Sequence, residues 1–377
     1  MVVDLSESRK QIDAIDRQIV ELFESRMKVS VQVAEYKKSI GMPVLDRERE
    51  KSKLKAVGEL ASNDFNRHGI EELFAQIMSI SRKLQYSMLK SSCGDSFAQV
   101  DAIQGENDRV VFFGARGSYS EQAMLDYFGE NVASTPAATF REVMAKVKSG
   151  EADYGVLPIE NTTTGGITDI YDLLTEFDNY IVGEHVVKIE HALLGLPGST
   201  IDEIRTVYSH AQGILQCGGF LGEHPQMKTV ETMSTAGCAK KVLEDGDRTQ
   251  AAIASRRAGE LYGLTVLAPG INDNDKNSTR FIIISNARKF EKDANKVSIS
   301  FTLPHESGTL YNMLSHIMYN NLNMTKIESR PLAGRTFEYR FFVDFEGNLN
   351  DPAVINTLNG IQSEALELTI FGNYKTT

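Results

Sequence analysis

From Asp4 to Ile40 the chain has no glycine or proline, and apolar residues recur at Ile12, Ile15, Ile19, Leu22, Val29 and Val33. Steps of three and four place them on one stripe of a helix. Such a helix is about 50 Å long at 1.5 Å per residue, which suits a bundle or coiled coil better than a small globular domain. Gly41-Met42-Pro43 ends it. The pattern predicts a second helix from Asp46 to about Leu60. A third should run from Gly69 to about Leu89, with Ile70, Leu73, Phe74, Ile77, Ile80 and Leu84 on its apolar face. Residues 91–108 are small and polar and read as a linker.

From Arg109 the period changes. Short apolar runs at Val110–Phe113, Tyr154–Leu157, Thr206–Tyr208, Ala251–Ala254 and Arg280–Ile284 alternate with helical stretches. This is the βαβ pattern of open, mostly parallel sheets, with enough chain for two small α/β lobes. After Lys296 the order becomes strand, helix, two strands, helix, strand, the ferredoxin-like βαββαβ pattern of an α+β module. The expected multidomain layout is therefore an all-α domain over 1–92, a two-lobed α/β domain over 109–286 and an α+β module over 296–377.

Composition sharpens that division. Residues 1–90 hold three glycines of the 29, and 16 Lys/Arg against 14 Asp/Glu, a net of +2, so the rest of the chain carries −13 of the total −11. The acidic total disfavours a nucleic-acid partner, because phosphate contacts need clustered cations. No apolar run approaches the roughly 18 residues of a membrane span, and the opening segment is polar and helix-periodic. The three cysteines, Cys93, Cys217 and Cys238, are far apart with no CxxC. A cytoplasmic protein without metal or cofactor is expected.

Arg26 and Lys37 fall in the middle of the first helix's apolar stripe, between the directions of Val33 and Ile12. An unpaired charge there is expensive. One such residue would be read as snorkelling; two on one stripe, about 16 Å apart along the axis, point to a small anionic ligand. Arg9 lies at the edge of the same stripe, about 25 Å from Arg26. If it serves the same site it must come from an antiparallel partner chain, which implies a two-fold dimer with shared sites. The order Arg9, Arg26, Lys37, then P-V-x-D-x-x-R-E (Pro43–Glu50) and Ser81-x-x-x-Gln85 resembles the all-helical chorismate mutases. The resemblance implies that Arg26 and the partner's Arg9 bind carboxylates, and that Lys37 and Gln85 donate to the breaking ether oxygen. It also implies that Asp46 and Glu50 orient the ring hydroxyl, with Arg49 and Ser81 assisting.

In the α/β body, Gly114-Ala-Arg-Gly-Ser-Tyr-Ser120 links a strand to a helix, where backbone amides can cradle an anion. It lacks GxGxxG, so a dinucleotide fold is disfavoured. Pro158-Ile-Glu-Asn-Thr-Thr-Thr-Gly-Gly166 and Tyr208-Ser-His-Ala-Gln-Gly-Ile-Leu-Gln-Cys217 are strand-end segments, and Thr279-Arg-Phe281 enters the last strand. Singly each is an ordinary cap or loop. In order, they resemble prephenate dehydratase, a two-lobed fold like the type II periplasmic binding proteins with its site in the cleft. That resemblance implies Thr279 as donor or relay to the leaving hydroxyl, with Glu160 or His210 behind it as proton source. Ser118, Asn161, Thr162, Ser209, Gln216 and Arg280 are then the substrate-binding residues.

Residues 296–377 resemble an ACT module through Gly308-Thr-Leu310 and Ile327-Glu-Ser-Arg-Pro331. The resemblance implies Gly308, Thr309, Leu310, Glu328, Ser329, Arg330 and Pro331 as an effector pocket for L-phenylalanine between paired modules. Together the three segments resemble the bifunctional chorismate mutase–prephenate dehydratases, with chorismate and prephenate as substrates and a homodimer or higher oligomer as the assembly. An arogenate-preferring dehydratase or an inactive sensing module remains an alternative on the motifs alone. A fused prephenate dehydrogenase is disfavoured by the absent nucleotide fingerprint.

Overall fold

The computed structural model describes residues 5–88, 96–105, 107–232, 235–332 and 334–376. Three helices open the chain: α1 (Leu5–Ser39), α2 (Arg47–Gly58) and α3 (Asp64–Ser87). Asp46 caps α2, its carboxylate accepting from the Arg49 amide at 3.0 Å. Asn63 caps α3 by accepting from the Asn66 amide at 2.8 Å. That Asx cap moves the start of α3 ahead of Gly69, where the apolar period had placed it, and the glycine sits inside the helix. The expected end at Leu89 lies outside the described residues, as do 91–95 of the linker.

The expected linker is docked over residues 96–105. Its strand β1 (Ala98–Val100) pairs in parallel with a later strand at Lys289–Glu291, and Phe97 and Ile103 are buried. These two apolar residues correct the reading of 96–105 as a free connector.

The first lobe is built from β2 (Arg109–Phe113), α4 (Tyr119–Phe128), β3 (Ala133–Ala137), α5 (Phe140–Ser149), β4 (Tyr154–Asn161), the two-residue β5 (Gly165–Gly166), α6 (Thr168–Phe177) and β6 (Tyr180–Lys188). The chain then crosses to a second lobe: β7 (His191–Gly195), β8 (Thr206–Ser209), α7 (Ala211–Leu215), α8 (Gly218–Glu223), β9 (Lys228–Glu231), α9 (Thr235–Asp245), β10 (Gln250–Ser255), α10 (Arg256–Tyr262) and β11 (Thr265–Ala268). It returns as β12 (Ser278–Ser285), which inserts between β4 and β6 and runs antiparallel to both. The first sheet has the order β3-β2-β4-β12-β6 and the second β11-β7-β10-β8-β9. Both are mixed rather than mostly parallel. A strand that crosses between lobes must enter or leave against the local direction, which βαβ spacing alone does not reveal. The lobes meet where Ser255 Oγ donates to the Gly117 carbonyl at 2.6 Å. Gly117 has φ +85°, and a Cβ there would lie 3.0 Å from Ala258 Cα, so this close approach requires glycine.

After β13 (Lys289–Glu291), the C-terminal module runs β14 (Lys296–Thr302), α11 (Thr309–Tyr319), β15 (Met324–Pro331), β16 (Tyr339–Glu346), α12 (Pro352–Glu364) and β17 (Glu367–Tyr374). Its antiparallel sheet has the order β15-β16-β14-β17. The module is joined to both other parts. Phe342, Phe371 and Tyr374 belong to the same apolar core as Val111, Leu157 and Ile282 of the first lobe. On its other side α12 packs against α3, where Ser79, Arg82, Lys83 and Tyr86 are buried. Among the described residues, no helix is long and apolar enough to cross a membrane.

The α3–α12 contact centres on Glu364, which accepts from Arg82 Nε at 2.8 Å and lies 3.2 Å from His316 Nε2. Burial opposes its ionisation, but His316 and Arg82 outweigh burial and hold the carboxyl at about 2. A carboxyl lowered in the folded state stabilises the fold fully above the usual carboxylate range, and that contribution is lost as pH falls toward its folded value. Measured against the protonated carboxyl, the ionised form is favoured by roughly 3 kcal/mol. The stability gap between the parent chain and Glu364→Gln, read by denaturant unfolding, is therefore expected to shrink as pH is lowered from the usual carboxylate range toward 2.

Candidate functional site

Two sites take shape. In the helical domain, α1 supplies Arg26 and Lys37, the start of α2 supplies Asp46, Arg49 and Glu50, and α3 supplies Ser81 and Gln85. All seven line one cavity of about 280 Å³. Arg26 Nη1 donates to Ser81 Oγ at 2.5 Å, and Lys37 Nζ to the Val44 carbonyl at 2.6 Å. Both oxygens of Glu50 accept from Arg82 Nη1 at 2.6 Å. Gln85 is buried and its Oε1 has no hydrogen-bond partner, an unmet polar group on the cavity wall. Burial lowers the Arg26 pKa against the opposing pull of Glu50; a guanidinium still keeps its charge. Among the described residues lining this cavity, Arg26, Lys37, Arg49, Lys53 and Arg82 stand against only two carboxylates, Asp46 and Glu50, a surplus suited to a small dianion. Arg9 is exposed on α1 and does not line it.

The second site is a cavity of about 320 Å³ in the cleft between the α/β lobes. Asn161 and Thr279, partners in the β4–β12 register, both face it. Thr279 Oγ1 accepts from Asn161 Nδ2 at 2.9 Å, so its own proton is free to point at a ligand. Asn161 is fixed in turn, its Oδ1 accepting from the Thr163 and Thr164 amides at 2.9 and 3.2 Å. Across the cleft, Tyr119 Oη lies 3.1 Å from His191 Nδ1, and His191 Nε2 lies 3.0 Å from Gln216 Oε1. Burial pushes the Tyr119 hydroxyl pKa up and the His191 pKa down, the Gln216 contact offsetting only part of the latter. Tyr119 therefore donates to a neutral imidazole, whose Nε2–H donates to Gln216 Oε1 and leaves the Gln216 amino group as a donor. Ser118 caps α4, accepting from the Glu121 amide at 3.3 Å, and His210 caps α7; both line the cleft. Among the described residues on this wall none is Lys or Arg.

The chorismate mutase type II family matches residues 8–86, and the prephenate dehydratase family matches residues 110–289. A bifunctional chorismate mutase/prephenate dehydratase of Enterobacter agglomerans is 33% identical over 97% of this chain and 94% of its own length. The chain belongs to the bifunctional chorismate mutase/prephenate dehydratase family. Among solved structures, prephenate dehydratase from Arthrobacter aurescens in complex with L-Phe is 30% identical with a TM-score of 0.66, covering 71% of this chain and 89% of that one. A chain described as GqqA, a novel type of quorum quenching acylase, is 32% identical with a TM-score of 0.66, covering 71% of this chain and 98% of that one.

Within the dehydratase domain, four expected residues are not at the cleft. Glu160 and Arg280 face the opposite side of the sheet, toward the C-terminal module. Glu160 pairs with Lys326 at 2.9 Å and Arg280 at 3.1 Å; Arg280 also pairs with Asp344 at 2.9 Å and Glu184 at 3.2 Å. Burial opposes ionisation of Glu160, but the two cations outweigh it and lower its pKa, the reverse of what a proton donor needs. Neither residue can supply or orient anything in the cleft from there. The cause is a β-bulge. Arg280 opposes Glu160 while Phe281 opposes Pro158, so Ile159 is the extra residue. Strict alternation from cleft-facing Pro158 would have sent Glu160 into the cleft; the bulge sends Asn161 there instead. Ser209 is fully buried and donates to the Ile253 carbonyl at 3.0 Å, tying β8 to β10. Thr162 Oγ1 accepts from the Ser278 amide at 3.0 Å and fastens the loop, while Thr164 reaches the cleft.

Tyr119 and His191 were not anticipated as site residues. His191 sits in an otherwise apolar run, HALLG, where a lone histidine carries little signal. In the C-terminal module, Gly308 takes φ +78° as the cap of α11, and Thr309 and Leu310 line a cavity of about 360 Å³. Glu328, Ser329, Arg330 and Pro331 lie on β15 and line no part of it. Arg330 turns toward the dehydratase lobe and pairs with Asp172 at 2.6 Å. One chain does not bring the two segments expected to bind an effector together.

Replacing a positioned proton donor costs roughly 10²–10⁴ in rate. Thr279→Val is thus expected to lower kcat on prephenate at least 100-fold. Glu160→Gln, on the far face, should cost less than about tenfold. Steady-state assays of both variants check the assignment of faces.

Proposed function

We propose that the chain rearranges chorismate to prephenate in the helical cavity and converts prephenate to phenylpyruvate in the cleft, with L-phenylalanine as a feedback effector at the C-terminal module. The observation that carries the reading is the convergence of Arg26, Lys37, Asp46, Arg49, Glu50, Ser81 and Gln85 on one cation-rich cavity. The working division is the mutase over 1–92, the dehydratase over 109–286 and an ACT module over 296–377.

The rearrangement breaks an ether C–O bond and forms a C–C bond within one molecule. It needs a compact conformer and donors at the oxygen where charge develops. Arg26 holds one carboxylate as a fork. Lys37 and Gln85 donate to the ether oxygen, Asp46 and Glu50 engage the ring hydroxyl, and Arg49 and Ser81 complete the polar wall. Arg9 of the partner subunit holds the second carboxylate. A dimer formed through α1 is supported by its bare stripe: Ile12, Ile15 and Ile19 are 55, 54 and 52% exposed in the single chain, and a contiguous apolar face of this kind marks an association surface.

In the cleft, the ring carboxylate leaves as carbon dioxide, its bonding electrons enter the ring, and the C4 hydroxyl departs as water after taking a proton. Thr279 donates to that hydroxyl. His210, which lines the same cleft, can replenish the proton. Asn161 fixes Thr279, while Gln216, oriented by the Tyr119–His191 pair, donates to a substrate carboxylate. The Gly114–Ser120 loop and Ser118 at the start of α4 supply backbone and hydroxyl donors for the other carboxylate. Acyl transfer is not supported: among the described residues no histidine or carboxylate hydrogen-bonds to the Thr279 or Ser118 hydroxyl, so neither is activated as a nucleophile. In the C-terminal module, Thr309 and Leu310 of one copy and Glu328–Pro331 of another form the effector pocket, which acts by favouring one conformational state.

Purified chain supplied with chorismate is expected to form phenylpyruvate, and added L-phenylalanine to slow it. Accumulation of prephenate alone would refute the second step. Arg9→Ala and Arg26→Ala chains, each nearly inactive as a mutase, should regain about a quarter of full activity when mixed as equal parts and allowed to exchange. That share follows from random pairing into shared two-fold sites. Absence of recovery in demonstrated heterodimers would refute the shared geometry.

A further inference from the structure

Arg82 is used by neither proposed reaction, yet it is 8% exposed and stands in the wall between two cavities. One is the mutase cavity. The other, about 400 Å³, lies between α2–α3 and the C-terminal module. Arg82 Nη1 holds both oxygens of Glu50 at 2.6 Å, and its Nε donates to Glu364 of α12 at 2.8 Å. Glu364 is 9% exposed and also within 3.4 Å of the Tyr86 hydroxyl, while its backbone carbonyl accepts from Arg47 at 3.0 Å. The guanidinium is therefore fixed from the C-terminal module and in turn fixes a carboxylate on the mutase wall.

That carboxylate poses a charge problem. A dianionic substrate placed beside an uncompensated Glu50 would be repelled, and the repulsion is strong where water is excluded. Arg82 offsets the charge from behind, leaving the forks of Arg26 and Arg49 for the ligand. It also fixes the direction in which Glu50 presents its remaining lone pairs. We infer that Arg82 is a positioning residue of the mutase site, acting through Glu50, and that Glu364 makes the C-terminal module a structural part of that site. The inference rests on the reading of the helical cavity as the mutase site.

The test uses the full-length chain and four variants: Arg82→Met, Arg82→Lys, Glu364→Gln and Arg82→Met combined with Glu364→Gln. Chorismate KM and kcat are measured for each, with prephenate turnover in the same preparation as the check on folding. Arg82→Met should raise the chorismate KM about tenfold, since it leaves a carboxylate unpaired against an anionic ligand, while kcat changes less than about threefold. Glu364→Gln should raise KM about threefold, and Arg82→Lys should fall between the parent and Arg82→Met, because one ammonium cannot span both carboxylates. The double variant should be no worse than Arg82→Met, since Glu364 acts through Arg82. If Arg82→Met loses prephenate turnover as well, the milder Arg82→Lys and Glu364→Gln decide. An unchanged chorismate KM in either of these two, with prephenate turnover intact, overturns the inference. So do additive effects in the double variant. A parent chain inactive on chorismate overturns the reading of the cavity, and this inference with it.

Discussion

The insertion of β12 between β4 and β6 is the constraint on which both the cleft and the C-terminal docking depend. The strand returns from the second lobe, closes the first sheet by hydrogen bonds on both edges, and presents opposite faces to two different neighbours. Thr279 meets the cleft. Arg280, one residue later, meets the C-terminal module through Asp344 and shares Glu160 and Glu184 with the dehydratase sheet. Because side chains on a strand alternate, the hydroxyl proposed to assist the leaving group cannot shift without moving the residue that anchors the module behind it.

The module also bridges to the helical domain. Its sheet completes the core of the first lobe, and its helices cover the second face of α3. Both contacts are built around charges taken out of water and matched closely: Lys296 with Glu184 at 2.6 Å on one side, Arg82 with Glu364 at 2.8 Å on the other. Pairs of this kind contribute little net stability against apolar packing, yet losing one partner is costly. They fix the relative placement of the three parts more than they strengthen it.

The two cavities would meet an anionic ligand differently. The helical cavity gathers several cations around two carboxylates. The cleft has no lysine or arginine among its described lining residues and relies on neutral donors held by their neighbours: Thr279 by Asn161, Gln216 by His191. Neutral donors fixed in place cost little reorganisation when charge develops on the ligand. The acidic body of the chain is compatible with this because no Asp or Glu is among the described residues lining the cleft.

The helix periods, the change of pattern at Arg109, the βαββαβ order and the ordered motifs were legible in the sequence because they are local: each depends on spacing along one element. Arg26 and Lys37 follow from the helix period itself; the other five residues of the helical cavity, and Ser118, Asn161, His210, Gln216 and Thr279 of the cleft, follow from the resemblance that the ordered motifs carry. What depended on an opposing element was not legible. Sheet direction followed from a chain that crosses between lobes and back. The removal of Glu160 from the cleft followed from a one-residue bulge beside Pro158, a residue that cannot donate to a central ladder and so was the one local hint of irregularity. Arg82 and Tyr86 lie off the apolar stripe of α3, and only the arrival of α12 buries them. The sequence determined which groups are present and on which element. The tertiary structure decided what each one faces, because burial and charge pairing are properties of the space between elements and not of either element alone.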